Sequence, residues 1–217
     1  LFLDEVQNIE GWHKFARRMA DSNYTILITG SNAKMLSGEI NTTLGGRFLT
    51  SEIYPYSFKE YLDAHRIPWD ENDIISTEGR AKVVRCFDEY LHYGGLPASA
   101  MMPAKRDYLS SVYQKIYMGD IIARNNITNV AGIRILVRKM AESVCRPISY
   151  NRVNNLLSSV GGKLSLATTI KYVEYCENAW LLMRVRNYAT SLADKESNCK
   201  YYFIDTGILG LFLIDKD

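Results

Sequence analysis

Two adjacent carboxylates, Asp4 and Glu5, directly follow three large apolar residues at the start of the sequence. An apolar run of this kind, here Leu1 to Leu3, is typical of a central parallel strand that is buried on both faces. In open α/β sheets, ligands bind at the carboxyl ends of such strands. At that position the first acid suits holding the Mg²⁺ of a bound nucleotide, and the second suits orienting or deprotonating the water that attacks the γ-phosphate. A simpler interpretation is that the two acids begin a loop or cap a helix.

A second strand is predicted beside the first. The intervening residues 11–20 form an amphipathic helix, because four apolar side chains recur there at helical spacing. These are Trp12, Phe15, Ala16 and Met19. The run from Tyr24 to Thr29 is apolar and β-branched, and it ends in Gly30-Ser31-Asn32. Such a strand-helix-strand unit has parallel strands and a right-handed crossover, so the polar end of the second strand is expected beside Asp4 and Glu5.

Four short segments follow one another in an order that is specific when they are taken together. They are Leu3–Gln7, Ile28–Asn32, Leu44–Arg47 and Pro55–Tyr61. The order resembles that of the prokaryotic AAA-type ATPases, in which a short ATPase module precedes a carboxy-terminal region of poorly defined role. The first segment is similar to their Walker B strand and the second to their sensor 1 strand. The third is similar to their Gly-Arg segment and the fourth to their Pro-x-Ser-Phe-x-Glu segment.

The resemblance implies roles for three further residues. Ser31 or Asn32 would contact the attacking water or the γ-phosphate, and Arg47 would be an arginine finger or sensor that reaches a nucleotide. A guanidinium suits that task because its planar fork of donors neutralises spread charge. From the residues alone, Arg47 also reads as a surface turn residue after two glycines. Ser31 and Asn32 also read as a cap for a helix that starts at Lys34.

The sequence contains no phosphate-binding loop, which needs Gly-x-x-x-x-Gly-Lys followed by Ser or Thr. The nearest match, Gly162-Lys163, has Leu157 in place of the first glycine and Leu164 in place of the hydroxyl. In the resembled family this loop precedes the Walker B strand, so we infer an amino-terminally truncated part of a larger ATPase. ATP and Mg²⁺ are expected as cofactors of the full-length protein, and neither is expected bound to this part alone.

The middle of the chain, from Ser57 to about Arg124, has the spacing of a helical region with two breaks. The breaks are predicted at Ile67–Ser76 and at Gly94–Pro97. This segment resembles the region that follows the ATPase core in the same family. Its many tyrosines are expected in the core and its rim rather than stacked on bases.

Residues 129–205 read as three helices followed by a hairpin, the order of a winged helix. The elements are a helix around Ile133–Val144, a helix opening at Ser149, a helix over Thr168–Glu177, and strand-like runs over Leu181–Tyr188 and Lys200–Asp205, with a polar loop at Ala189–Asn198 between the strands.

Such a winged helix would bind DNA through outward residues of its third helix and its wing. These are Thr168, Thr169, Lys171, Tyr172 and Tyr175 on the helix and Lys195 in the wing, with Arg184, Arg186 and Lys200 adding charge. Residues 129–204 hold 11 Lys and Arg against 5 Asp and Glu, whereas residues 1–128 hold 14 against 16. This asymmetry favours an acidic partner such as DNA. Winged helices also dock proteins, so a protein partner or self-association stays open.

The composition, 47% hydrophobic and 23% charged, is that of an ordinary soluble protein. No apolar run is long enough to cross a bilayer and no leader opens the sequence, which predicts a cytoplasmic location without a membrane. The four cysteines and three histidines lack metal-site spacing and read as structural. The apolar tail from Thr206 to Ile214 is expected to continue into more protein.

The sequence therefore predicts a mixed α/β protein in four parts. They are the carboxy-terminal part of a parallel-sheet P-loop ATPase core at 1–56, a helical region at 57–128, a winged-helix domain at 129–205 and the start of a further segment at 206–217. The predicted function is a fragment of an AAA-type ATPase that couples ATP binding and hydrolysis to a switch or remodelling step, with a winged helix that binds DNA. The full-length protein is expected to be an ATPase and this chain alone inactive. The alternatives are a DNA-binding winged-helix regulator and a protein-docking module without ATPase activity.

Overall fold

The computed structural model describes residues 1–6, 9–31, 48–70, 75–159 and 164–213. In these ranges the chain is mostly helical and carries two small two-stranded sheets. None of the helices described is both long and apolar enough to span a membrane.

The amino-terminal unit consists of β1 (Phe2–Leu3), α1 (Trp12–Asp21) and β2 (Leu27–Ile28). The strands pair in parallel, with Phe2 opposite Leu27 and Leu3 opposite Ile28. Trp12 and Ala16 of α1 pack with Val6 into a small core, as helical spacing predicts, whereas Phe15 of the predicted apolar face is 39% exposed. One face of the pair is open, because Phe2 is 59% and Leu27 is 61% exposed. The expected burial of the first strand on both faces is therefore not seen in the described residues.

The helical region contains α2 (Phe58–Ala64), α3 (Thr77–Tyr93) and α4 (Lys105–Gln114), with a 3₁₀ turn at Pro97–Met101. A capping box starts α2, since Ser57 accepts from the Glu60 backbone N–H and the Glu60 carboxylate accepts from the Ser57 N–H. The expected break at Gly94–Pro97 is present, since α3 ends at Tyr93 with Gly94 as its C-cap. At the other expected break, α2 ends at Ala64, but residues 71–74 lie outside the described residues. Beyond α4 the chain continues directly into a π-helix, Lys115–Ala123, whose wider hydrogen-bonding pattern the sequence did not predict.

The carboxy-terminal half contains three helices followed by an antiparallel pair. They are α5 (Val130–Glu142), α6 (Tyr150–Ser159), α7 (Leu166–Asn178), β3 (Leu182–Val185) and β4 (Lys200–Phe203). The register joins Leu182 to Phe203 and Val185 to Lys200. β3 is shorter than the predicted run, and the predicted polar loop holds a short helix, α8 (Leu192–Glu196). This order agrees with the predicted sequence of elements, and the winged-helix classification stays a prediction.

The main hydrophobic core crosses two of the predicted boundaries. Fully buried side chains from three of the predicted parts contribute to it. Among them are Leu109, Ile121, Ile133, Leu136, Val173, Leu181 and Ile208. The helical region, the three-helix segment and the tail thus share one core, although the boundaries at 128 and 205 remain predictions.

Asp205 fastens the tail to the end of α3. It is 3% exposed and caps α9 (Thr206–Gly210) by accepting the Ile208 N–H at 3.1 Å. Its other carboxylate oxygen accepts the Gly95 N–H at 2.7 Å. Gly94 has φ of 73°, and a Cβ there would overlap the Asp205 carboxylate, so this position requires glycine. Burial raises the pKa of the Asp205 carboxyl, and the backbone N–H groups of Gly95 and Ile208 offset part of that rise.

Candidate functional site

The carboxyl edge of the parallel strands brings together the two acids and two hydroxyls. The Thr29 hydroxyl donates a hydrogen bond to the Asp4 carboxylate, and the Ser31 hydroxyl donates to the Glu5 carboxylate at 3.3 Å. The backbone continues the ladder past the strands, since the Thr29 N–H donates to the Leu3 carbonyl at 2.9 Å. Parallel pairing places both polar ends at one edge, which is the arrangement that the strand-helix-strand pattern predicts.

Glu5 has an unusual backbone conformation. Its φ is 50°, in the left-handed region that non-glycine residues seldom adopt. The Glu5 side chain is half-buried, whereas Asp4 is exposed. Backbone conformations of this kind occur often at functional sites, where the surrounding structure fixes them. The turn therefore separates two neighbouring carboxylates into two different environments.

A cleft of about 570 Å³ opens beside this edge. Glu5 and Ser31 line one side, and the π-helix lines the other. The π-helix side consists of Lys115, Gly119, Asp120, Ala123 and Arg124. Sequence reasoning gave these residues no role at the site, because nothing local in a helical sequence indicates that it will pack against a strand edge more than eighty residues away.

Two other predicted site residues, Asn32 and Arg47, lie outside the described residues. Their assigned contacts with water, the γ-phosphate or a neighbouring nucleotide therefore stay predictions. The same holds for the predicted helix start at Lys34.

The predicted DNA-facing surface of α7 needs correction at two positions. Thr169 is 0% exposed, and its hydroxyl donates to the Asn154 side-chain oxygen of α6 at 2.8 Å. Tyr172 is also buried in the main core. Both residues lie on the buried face of α7. Packing against neighbouring elements, rather than the polarity of the side chain, determines which face of the helix is buried. Lys171 is exposed, as predicted. Thr168 is half-buried, and its hydroxyl oxygen lies 2.8 Å from the hydroxyl oxygen of Ser165, which caps the helix.

The basic residues of the hairpin are largely neutralised within the chain. Arg184 pairs with Glu177 at 3.1 Å and with Glu196 at 3.2 Å, and Arg186 pairs with Glu196 at 2.7 Å. These pairs reduce the positive charge that the two arginines were expected to offer a phosphate. Lys195, in α8, is exposed.

The cysteines and other metal-binding side chains form no cluster in the described part of the chain. No group of three or more His, Cys, Asp or Glu is present there. The cysteines are unpaired thiols, and burial raises the pKa of Cys176 to about 12. Burial at 0% exposure thus favours the neutral thiol of Cys176 over a nucleophilic thiolate.

Two family models match separate parts of the chain. A family model described as "AAA domain" matches residues 1–62, and one described as "Domain of unknown function (DUF8612)" matches residues 84–216. The uncharacterized protein MJ1544 of Methanocaldococcus jannaschii is 33% identical over 208 residues, covering 94% of this chain and 46% of that protein. An uncharacterized protein of Haemophilus influenzae is 32% identical over 211 residues, covering 95% of this chain and 50% of that protein.

The chain thus spans about half the length of these curated relatives. No solved structure matches it. The AAA-like character of the amino-terminal segment, which the order of short motifs predicted, is supported by the match over residues 1–62.

Proposed function

We propose that this chain, which belongs to the family described as "Domain of unknown function (DUF8612)", carries the water-activating edge of an AAA-type ATPase. One observation carries the proposal: the parallel pairing of β1 and β2 joins Asp4 to Thr29 and Glu5 to Ser31. Two acids and two hydroxyls at the carboxyl edge of parallel strands suit nucleotide hydrolysis. The match to an AAA domain over residues 1–62 supports this proposal.

In the proposed site, Asp4 holds the Mg²⁺ of MgATP through a water molecule. Its exposed carboxylate, already fixed by the Thr29 hydroxyl, fits a hard cation that prefers oxygen ligands. Mg²⁺ would take its other ligands from phosphate and water. Glu5 orients or deprotonates the attacking water, with Ser31 or Asn32 beside it, and Arg47 contacts the phosphates.

A phosphate-binding loop is also required, and the 217 residues do not contain one. The curated relatives are about twice as long as the matched segment. We therefore propose that the gene encodes such a loop upstream of Leu1, and that ATP binding and hydrolysis drive a switch in residues 84–216.

Titration calorimetry with MgATP tests this division of roles. The 217 residues alone are expected to bind no MgATP at micromolar concentration, since the backbone amides and lysine that wrap the phosphates are absent. The protein extended upstream by its own gene sequence is expected to bind it. Saturable micromolar binding by the 217 residues would show that the loop is not needed, and lack of binding by the extended protein would refute the ATPase proposal.

A second candidate function is DNA binding by a winged helix at residues 129–205. Three helices followed by an antiparallel pair support the winged-helix fold, and the exposed Lys171 and Lys195 support phosphate contact. The burial of Thr169 and Tyr172 and the pairing of Arg184 leave a smaller basic surface than the sequence predicted.

A salt-titrated mobility shift separates DNA binding from protein docking. If the two lysines contact phosphates, Lys171→Ala and Lys195→Ala are each expected to lower the slope of log affinity against log salt by about one. Lys82→Ala is a suitable control, because Lys82 lies on α3 and pairs with Glu78 at 2.9 Å. Affinity that does not change between low and moderate salt would exclude phosphate contact and favour a protein partner or self-association.

A further inference from the structure

The cleft beside Glu5 has an asymmetric distribution of charge. Its strand-edge side offers a carboxylate and a hydroxyl, whereas its helical side offers two cations, Lys115 and Arg124, together with the Asp120 carboxylate that pairs with Arg124. A cleft between a water-orienting acid and two cations suits an anionic group that is attacked by water. The match to the AAA domain ends at residue 62, so these cations come from outside that segment.

The spacing of residues in the π-helix places the two cations on the same side of the cleft. In a π-helix the carbonyl of residue i accepts from residue i+5, as Gly119 does from the Arg124 N–H at 3.2 Å. Residues four or five positions apart therefore share a face, which places Lys115, Gly119 and Arg124 along the cleft. Gly119 is exposed, and a Cβ added to it would meet no atom within 4 Å, so a side chain at this position would extend into open space. π-helical segments occur frequently at functional sites.

Arg124 is fixed by an ion pair that uses only part of its guanidinium group. Its Nη2 pairs with the Asp120 carboxylate at 2.9 Å, and the two side chains are only 22% and 13% exposed. Its Nη1 is buried and has no hydrogen-bond partner within the part of the chain that the structure describes. A buried donor without a partner is unfavourable and uncommon in native proteins. Asp120 thus fixes the guanidinium through Nη2, and Nη1 is enclosed beside the cleft, so a small side-chain shift would be needed to turn it toward a ligand.

We propose that Lys115 and Arg124 bind the terminal phosphate of the nucleotide on which Glu5 acts, an inference that rests on the proposed ATPase function. A guanidinium fork matches phosphate oxygens, and a lysine adds a point charge. The γ-phosphate is the group nearest the water that Glu5 orients, so the pair distinguishes ATP from ADP. Asp120 is a positioning residue, since it acts through Arg124.

Lys115 and Arg124 also couple a bound nucleotide to the rest of the chain. The π-helix packs in the main core through Tyr117 and Ile121, and the Tyr117 hydroxyl donates to the Val130 carbonyl at the start of α5 at 3.2 Å. A cation pair that holds the γ-phosphate therefore ties residues 84–216 to the strand edge while ATP is present. Loss of the phosphate on hydrolysis releases that tie.

Nucleotide titrations of the upstream-extended protein test the inference. For Arg124→Ala and Lys115→Ala, the affinity for a non-hydrolysable ATP analogue is expected to fall by about 10- to 100-fold, because each loses a charged hydrogen bond. The affinity for ADP is expected to stay within about twofold, because the missing contact is to the terminal phosphate. Arg124→Lys is expected to recover part of the loss. Arg138→Ala is the matched control, since Arg138 is exposed on α5 and does not line the cleft.

A steric variant keeps the test independent of charge. Gly119→Val adds bulk to open space, so it is expected to fold normally and to weaken binding of the ATP analogue more than that of ADP. If the parent protein binds the analogue and the Arg124 and Lys115 variants bind it equally well, the inference is wrong while the ATPase proposal stands. Equal losses for the analogue and ADP, accompanied by lower thermal stability, would mark a structural role and overturn it. A parent protein that binds no nucleotide would refute both proposals.

Discussion

Replacement of Glu5 by glutamine is expected to reduce ATP turnover of the upstream-extended protein by about 10²- to 10⁴-fold, the usual contribution of a positioned general base. Glutamine has the size of glutamate and accepts the Ser31 hydrogen bond, but it cannot take a proton from water. Binding of MgATP is expected to change by less than about twofold, because the acid acts in the transition state rather than in the ground state. Steady-state turnover and an equilibrium titration of the same preparation measure the two quantities.

Asp4→Ala provides the contrasting variant at the adjacent position. Removal of the Asp4 carboxylate is expected to weaken ATP binding when Mg²⁺ is present and to leave metal-free ATP binding unchanged. The two variants therefore differ in the step they affect, although the residues are neighbours. Undiminished turnover by Glu5→Gln would remove Glu5 from the catalytic site.

Asp205→Ala is expected to cause the largest loss of stability in the described part of the chain, about 3–5 kcal/mol, because it leaves buried N–H donors without an acceptor. The donors are those of Gly95 and Ile208, and the cap of α9 is lost with them. For a chain of 217 residues this corresponds to a fall of roughly 10 °C in the unfolding midpoint. Thermal and urea unfolding measure it.

Asp205→Asn separates the hydrogen bonds from the charge. The amide keeps one acceptor oxygen, so a smaller loss than that of Asp205→Ala is expected. Because burial raises the folded pKa of this carboxyl above its ordinary 3.8, its contribution to stability is full below that value and declines as pH rises through the folded pKa. The stability of the parent relative to Asp205→Asn is therefore expected to be greatest near pH 4 and smaller at pH 7. Equal stability of all three proteins would mean that the tail is not fastened by Asp205.

The strand edge was predictable from the sequence because its information is local. An apolar run before Asp4, an amphipathic helix and a second apolar run before Ser31 define a parallel crossover, which fixes the relative position of the two polar ends. The cleft was not predictable in this way. Its second side depends on how the π-helix and the Arg124 that follows it pack against an edge distant in sequence, and periodicity carries no information about that packing. The same periodicity also cannot distinguish a π-helix from an α-helix over so short a segment.

The third helix of the basic half shows a different limit. Thr169 and Tyr172 have polar groups and were predicted to face outward. A threonine is readily buried when its hydroxyl finds a partner, as it does in Asn154, and a tyrosine is mostly apolar surface. A prediction from polarity alone is therefore wrong at these two positions. Lys171 is exposed as predicted, because burial of its charge would cost free energy.

The fastening of Asp205 to Gly94 and Gly95 makes neighbours of two positions 110 residues apart in the chain. α9 packs directly against the carboxyl end of α3. The Thr206 hydroxyl donates to the Tyr90 carbonyl at 3.0 Å, and a methyl group on Gly207 would overlap the Tyr93 backbone. A displacement of α9 is therefore expected to be transmitted directly to the carboxyl end of α3.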